Sequence, residues 1–436
     1  MAGFVLPIAV QNLLAALVSV SDVLMLGMLN QNVLSAVSLA TQVQFILNLF
    51  FSALTVGTTI LSAQYWGRGD NTSIEKVLIV ALHMSCLVAL LFFLCAQIVP
   101  GMLMHIFTSD EKLVTIGIEY LRIASWSYLL MAVPQIFLCI MKNSGRMIRS
   151  TLYGFAAVIT NIILNAILIF GLLGFPRMEA AGAAAATVLA IGIELLLVLV
   201  ENIVIKNVRI RWKYLRRLNL KLLKEFIHYS LPVLADLLVW GLGFTMFSVI
   251  LGHLGNDSIA ANSIANTAKN IISCFCLGLG SGTGIIIGNE LGKNEFDTAK
   301  EYGNKLFHIS IWTGIISGAI LVLSTPLFLT LSASLNERSA DYLKWMLLIC
   351  GFYMIGKSIN VTMIDGIFCA GGDTKFGLLC DFVSVWLIVI PLGALAAFLF
   401  KWPVPIVYLV LSMDEGLKVP VVYKHYKKYK WVRRLT

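Results

Sequence analysis

Apolar runs of about twenty residues or more follow one another from Phe4 to Tyr423 with only short polar breaks, and this feature constrains the chain more than any other. A helix of ~20 residues is what it takes to cross the hydrocarbon core of a bilayer. Because lipid offers no partner to a backbone amide, each run has to form a helix. Setting runs against breaks places spans at 4–28, 33–65, 76–99, 113–141, 147–173, 179–204, 226–252, 258–290, 300–325, 341–369, 374–400 and 403–423. These use up nearly all of the 436 residues, so no separate soluble domain fits. Composition agrees: 13% of the residues are charged, where a soluble domain carries about 25%. The expected fold class is an all-α integral membrane protein with twelve transmembrane helices.

Charge sets the orientation. The chain carries 32 Lys and Arg against 23 Asp and Glu, and the basic residues gather in alternate connections. Breaks after even-numbered spans, counted with the first two turns of the spans that follow them, and the tail hold 23 of them; breaks after odd-numbered spans hold Lys112, Arg177, Arg338 and Lys401. Under the positive-inside rule both termini and the middle loop are cytoplasmic, in a multi-pass protein of the cell membrane. The net charge of +9 is thus a topology signal rather than a sign of nucleic-acid binding. The first run lacks a basic leader and a small-residue cleavage site, and reads as a retained helix. Eight cysteines fall mostly inside apolar runs; Cys274 and Cys276, two apart on one helix, cannot bridge each other and read as packing residues.

The middle loop, Lys206 to Lys224, has eight basic residues and no acidic one, and it divides the spans six and six. Sliding the chain on itself by 225 residues pairs Pro7 with Pro232 and Gly67 with Gly292, and sixteen of the 61 positions between are identical. The pairs include Leu26 with Leu251, Gly27 with Gly252, Ala36 with Ala261, Gly57 with Gly282 and Thr58 with Thr283. An internal duplication is the reading. The expected organisation is an N-terminal six-helix bundle at 1–205, a cytoplasmic basic linker at 206–225, a C-terminal six-helix bundle at 226–423 and a cytoplasmic basic tail at 424–436. With an even number of spans per repeat, both halves enter from the same side. They are then parallel repeats about a pseudo-two-fold axis along the membrane normal, an arrangement typical of transporters.

Several stretches together resemble the multidrug and toxic compound extrusion family, over nearly the whole chain. They are Leu6-Pro7, Ser21-Asp22 and Leu26-Gly27 in the first span, and the run from Ala63 through Gln64, Tyr65, Trp66, Gly67, Arg68 and Gly69 to Asp70 after the second. The second half repeats them as Leu231-Pro232, Leu251-Gly252 and the run Gly288 to Lys293. Asn161 to Asn165 in the fifth span and Gly371-Gly372-Asp373-Thr374 before the eleventh also look like that family. The resemblance implies a secondary antiporter that exports organic, often cationic, compounds in exchange for Na⁺ or H⁺. Flippases of lipid-linked oligosaccharides or cell-wall precursors share the twelve-helix fold and form the alternative. They would be expected to line their cavity with more cations, for a diphosphate.

Asp22 interrupts an apolar span, where a carboxylate costs about 2.5–3.5 kcal/mol on insertion scales, so it needs a partner or a purpose. With Met28 at the outer end, a rise of ~1.5 Å per residue puts Asp22 about 9 Å down. The same arithmetic sets Asn165 about 10 to 12 Å down, Asn161 one turn deeper on the same face, and Thr187 about 12 Å down. Four oxygen-bearing side chains from three helices share one level. A structural hydrogen bond to a neighbouring amide is the plainer reading, but the repeat speaks against it. Offsets of 225 and 227 turn Asp22 into Phe247, Asn161 into Ile388 and Asn165 into Leu392, so one half alone carries the cluster. The resemblance assigns Asp22, Asn161 and Thr187 to a cation site directly; Asn165 stands where some relatives have a second carboxylate. One carboxylate with neutral oxygens balances one monovalent charge, for which Na⁺ and H⁺ compete, and an oxygen donor set favours the hard cation Na⁺.

In the second half, Asp236 and Lys357 both lie about 24 Å below the outer ends of their spans and are candidates for a buried ion pair. Lys269 is a further cation. Trp240, Phe244 and Phe247 offer a surface on which a lipophilic cation could stack, or simply pack a helix. Trp240 also occupies the place where some relatives have a carboxylate, which leaves a Na⁺ site in this half without support. Asn262, Asn266 and Asn270 recur every four residues and line a cleft or bond to a neighbouring helix. Asp236, Trp240, Phe244, Asn266, Lys269 and Lys357 are the substrate-cleft candidates. Six scattered histidines make no HExxH, and no phosphate loop is visible, so the chain reads as no enzyme and as needing no cofactor beyond a coupling ion. The partners expected are a small-molecule substrate and the bilayer, with no nucleic acid, for a monomer.

Overall fold

The computed structural model describes residues 2–28, 31–204, 210, 219–331 and 336–436. Among them the chain is all helical, with no strand. In chain order the long helices are α1 (Ala2–Gly27), α2 (Gln31–Gly67), α3 (Asn71–Ile98), α4 (Glu111–Asn143), α5 (Met147–Phe170) and α6 (Glu179–Val204). They continue with α7 (Leu220–Gly252), α8 (Asn256–Gly292), α9 (Phe296–Leu323), α10 (Glu337–Phe368), α11 (Thr374–Leu399) and α12 (two segments within 404–426). Among the described residues ten helices, α2 to α11, are long and apolar enough to cross a membrane. The duplication extends to the helix ends: Gln31–Gly67 maps onto Asn256–Gly292, and Asn71–Ile98 onto Phe296–Leu323, each at the 225 offset.

Two expectations meet a different outcome. α12 is not continuous. It runs as α12a (Val404–Leu411), breaks at Ser412 and Met413, and resumes as α12b (Asp414–Tyr426). α7 starts six residues before the span read from the sequence, because the Asn219 carboxamide accepts from the backbone amides of Lys221 and Leu222 at 3.1 and 3.2 Å and caps the first turn. The basic stretch 206–218, Ile210 excepted, lies outside the described residues. The tail at 424–436 is folded: Trp431 is fully buried, and Arg433 donates to the carbonyls of Gly371 and Gly372 at 2.6 and 2.8 Å. His425 stacks on Phe376 and meets Asp373 at 2.7 Å.

The helices group into two compact units, Leu14–Ser230 and Met1–Leu13 with Leu231–Thr436. The first is built round buried Leu47, Ile74, Leu78, Tyr128 and Phe137. The second has one core about Cys276, Met346, Met354 and Tyr408 and another about Ile287, Phe368, Tyr426 and Trp431. Lipid supplies no hydrophobic drive between helices, so small residues let backbones approach closely. α9 and α10 meet at Gly318 and Gly351, where a methyl group added at Gly318 would lie 2.2 Å from the Gly351 carbonyl oxygen. Gly318→Ala is therefore expected to destabilise the protein by about 1–3 kcal/mol, since backbone has to move. Thermal unfolding of the purified protein in detergent checks this; an unchanged midpoint would show that the contact is slack.

Candidate functional site

In the unit Leu14–Ser230 the four cation-site candidates form one hydrogen-bonded chain. Asn165 Nδ2 donates to Asp22 Oδ1 at 2.5 Å and to Asn161 Oδ1 at 3.0 Å. Asn161 Nδ2 donates to Thr187 Oγ1 at 3.3 Å, and that hydroxyl donates to the Ala183 carbonyl at 3.0 Å. Local sequence explains the convergence. Asn161 and Asn165 sit one turn apart on α5, so both amides face the same way. α6 opens on a run of alanines, and a Cβ at Gly182 would lie 2.7 Å from the Leu168 carbonyl oxygen, so α5 and α6 pack backbone to backbone and Thr187 reaches Asn161. The left-handed Gly171 ends α5 and lets the chain turn.

The chain of donors leaves oxygens over. Asn165 is fully buried and its Oδ1 has no hydrogen-bond partner. An orphaned carbonyl oxygen beside a carboxylate is a place for a cation, because a buried acceptor without a donor is otherwise costly. These groups can hold one Na⁺ or accept one proton. The second half has no equivalent at the matching positions, where Phe247, Ile388 and Leu392 stand.

Sequence reading missed two carboxylates on the same helix. Thr187, Glu194 and Glu201 recur every seven residues on the inward stripe of α6, so each stands about 10 Å further along. Glu201 is buried and held by Tyr153 Oη at 2.7 Å and Arg149 at 3.3 Å. Glu194 has no hydrogen bond or ion pair among the described residues and lies within electrostatic reach of Lys142. The seven-residue recurrence was the signal available in the sequence.

In the other unit, Lys357 does not pair with Asp236. Its Nζ lies 3.3 Å from Glu415 Oε1, on α12b. Lys418 bridges Asp381 Oδ1 at 2.9 Å and Glu415 Oε2 at 3.1 Å, and Asn360 Nδ2 donates to Glu415 Oε2 at 2.7 Å. Glu415 and Lys418 are 1% and 3% exposed, so this is a buried ionic network joining α10, α11 and α12b. Asp236 keeps a buried Oδ1 with no partner. The break in α12 makes the network possible by setting Asp414 and Glu415 at the start of a new helix, where negative charge suits the dipole. Gly356 admits this approach: a Cβ there would lie 2.9 Å from the Glu415 backbone.

Trp240, Phe244, Asn266 and Lys269 line one open cavity, together with Phe247, Tyr353 and Asp414. The Trp240 and Phe244 rings are stacked, 5.8 Å apart at 17°. Lysines already stand over these rings: Lys269 Nζ is 5.1 Å from the Phe244 centroid and 4.9 Å from that of Tyr353, and Lys357 Nζ is 5.2 Å from that of Trp240. Asn266 Nδ2 donates to Asn262 Oδ1 at 3.1 Å, so these two amides bond to each other. Asp236 and Lys357 do not line this cavity.

The chain matches the MatE family model over residues 7–167 and again over 232–395, two segments whose starts are separated by the repeat offset. It is 24% identical over 433 residues to the uncharacterized transporter YisQ of Bacillus subtilis (strain 168), covering 98% of this chain and 94% of that one. It is 26% identical over 408 residues to a probable multidrug resistance protein NorM of Rhizobium meliloti (strain 1021), covering 88% and 83%. Its fold superposes on a MOP superfamily transporter from Pyrococcus furiosus with a TM-score of 0.90 at 16% identity, over 98% of this chain and 95% of that one. A variant of the Vibrio cholerae MATE transporter VcmN gives 0.89 at 16% identity, over the same shares. With both halves matched by the family model on a twelve-span fold, the chain belongs to the MatE family, the multidrug and toxic compound extrusion transporters.

Proposed function

We propose that the protein is a secondary active antiporter of the cell membrane that exports amphipathic, cationic organic compounds in exchange for Na⁺ or H⁺. The observation that carries this reading is the chain from Asp22 through Asn165 and Asn161 to Thr187, with its unpartnered Asn165 Oδ1. A carboxylate within an apolar span is expensive unless it binds something that pays for its charge, and a monovalent cation does that. Asp22, Asn161, Asn165 and Thr187 hold the ion, Na⁺ being favoured by the oxygen donors. The substrate class is supported by relatives such as the probable multidrug resistance proteins NorM. Rocking of two six-helix bundles, 1–205 and 226–423 joined by a cytoplasmic linker, would open a cleft alternately to each side, with both termini cytoplasmic. A flippase of lipid-linked precursors would need several cations for a diphosphate, and the cavity of the C-terminal half has Lys269 and Asp414 as its charged lining.

The test is efflux of a cationic dye from proteoliposomes under a Na⁺ gradient or a pH gradient, imposed separately. Efflux should speed up under at least one gradient and stop when both are dissipated. Dye movement indifferent to both would remove the antiporter reading.

A further inference from the structure

The cavity of the unit that contains Leu231–Thr436 holds an ammonium with no direct ion pair among the described residues. Lys269 Nζ lies between the faces of Phe244 and Tyr353, and among the described residues no carboxylate oxygen is within ion-pairing distance of it. Ring faces stabilise a desolvated ammonium only in part. Lys357, over the third ring, is paired with Glu415, so of these two ammonium groups Lys269 is the one without a direct partner. Across the same cavity stands Asp414, 2% exposed, whose Oδ1 has no partner. Lysine and aspartate share the lining without touching, and a bound molecule of complementary polarity would satisfy both.

A lipophilic cation fits poorly here. It would have to share the π faces with two protein ammonium groups that already occupy them, and like charges repel. An anionic group has Lys269 open to it, and the stacked pair of Trp240 and Phe244 offers an apolar wall for a ring. We propose that this cavity is a subsite for a flat-ringed monoanion, an aromatic carboxylate, whose negative group sits on Lys269 and whose N–H or O–H donor, where it has one, is taken by Asp414. One ammonium is open to one negative group, with a carboxylate opposite that repels further negative charge, which disfavours a diphosphate. As a substrate subsite it rests on the exporter reading but not on the cationic class named there, against which it sets an anion in this half of the chain; binding can be measured in the absence of transport.

The experiment uses purified full-length protein in nanodiscs without any ion gradient, and reads ligand binding by tryptophan fluorescence and calorimetry. The probes are ring-matched: 2-naphthoate, neutral 2-naphthamide and 2-naphthylmethylammonium. Naphthoate should bind at least tenfold tighter than either of the others. Lys269→Met should lose that advantage, Lys269→Arg should keep most of it, and binding of the amide should change little in both. Equal or tighter binding of the ammonium probe, or full naphthoate affinity in Lys269→Met, would overturn the proposal. So would displacement of naphthoate by a prenyl diphosphate at lower concentration than by naphthoate itself. If Lys269→Met does not fold, the ranking of the three probes on the wild type still decides. Dye efflux under imposed gradients is a separate readout, so a failed exporter reading and a failed subsite are told apart.

Discussion

Asp22→Asn abolishes ion-driven efflux while the protein remains folded in the membrane; this is the expected result with the largest functional effect. The substitution keeps an oxygen where Asn165 Nδ2 donates at 2.5 Å, so the hydrogen-bonded chain to Asn161 and Thr187 can persist. What disappears is the formal negative charge of the chain. Removing one partner of a desolvated charge pair costs about 2–5 kcal/mol, or between one and several orders of magnitude in ion affinity. Transport of dye under a Na⁺ or a pH gradient should therefore fall to the level of empty liposomes, with an unchanged elution profile and melting midpoint in detergent. Near-normal gradient-driven transport by the variant would remove Asp22 from the coupling site.

How far each feature was legible in the sequence follows from which physical rule it obeys. The level of Asp22, Asn161, Asn165 and Thr187 was legible because helix rise is constant, and a polar residue in an apolar run stands out. Their direct hydrogen bonds were not, since depth says nothing about which way a helix is turned. The same limitation explains Lys357. It shares a level with Asp236, yet the face it presents belongs to α12b, and Glu415 is its partner. The break in α12 was hidden because apolar residues flank Ser412 to Gly416 on both sides and window averages run across it. A cluster of Ser, Asp, Glu and Gly inside a span is nevertheless the kind of interruption that marks functional regions in transporters. Glu194 was missed for another reason. Its neighbours Ile193 and Leu196 are exposed apolar residues, and only the recurrence from Thr187 to Glu201 shows that it lies on the inward stripe.

Lys418→Met is expected to have the largest effect on stability. The lysine is 3% exposed and is the cation that meets both Asp381 and Glu415, at 2.9 and 3.1 Å. Methionine fills a similar volume but leaves Asp381 without the cation it pairs with, in a low-dielectric interior, whereas Glu415 still has Lys357 and Asn360. Breaking a buried pair by removing one partner costs about 3–5 kcal/mol, a large share of the roughly 5–15 kcal/mol that holds a typical domain together. A drop of about 10 °C in the melting midpoint should follow. The loss belongs to the stranded charge and not to the missing methylene contacts, so neutralising the stranded partner should reverse much of it. The double variant Lys418→Met with Asp381→Asn is expected to recover most of the midpoint, giving a coupling energy well outside additivity. An unchanged midpoint in the single variant would mean that water reaches Asp381 and the pair is worth little. A double variant no more stable than the single would place the cost in packing round α12b, and the ionic network would then have no special part in joining α10, α11 and α12b.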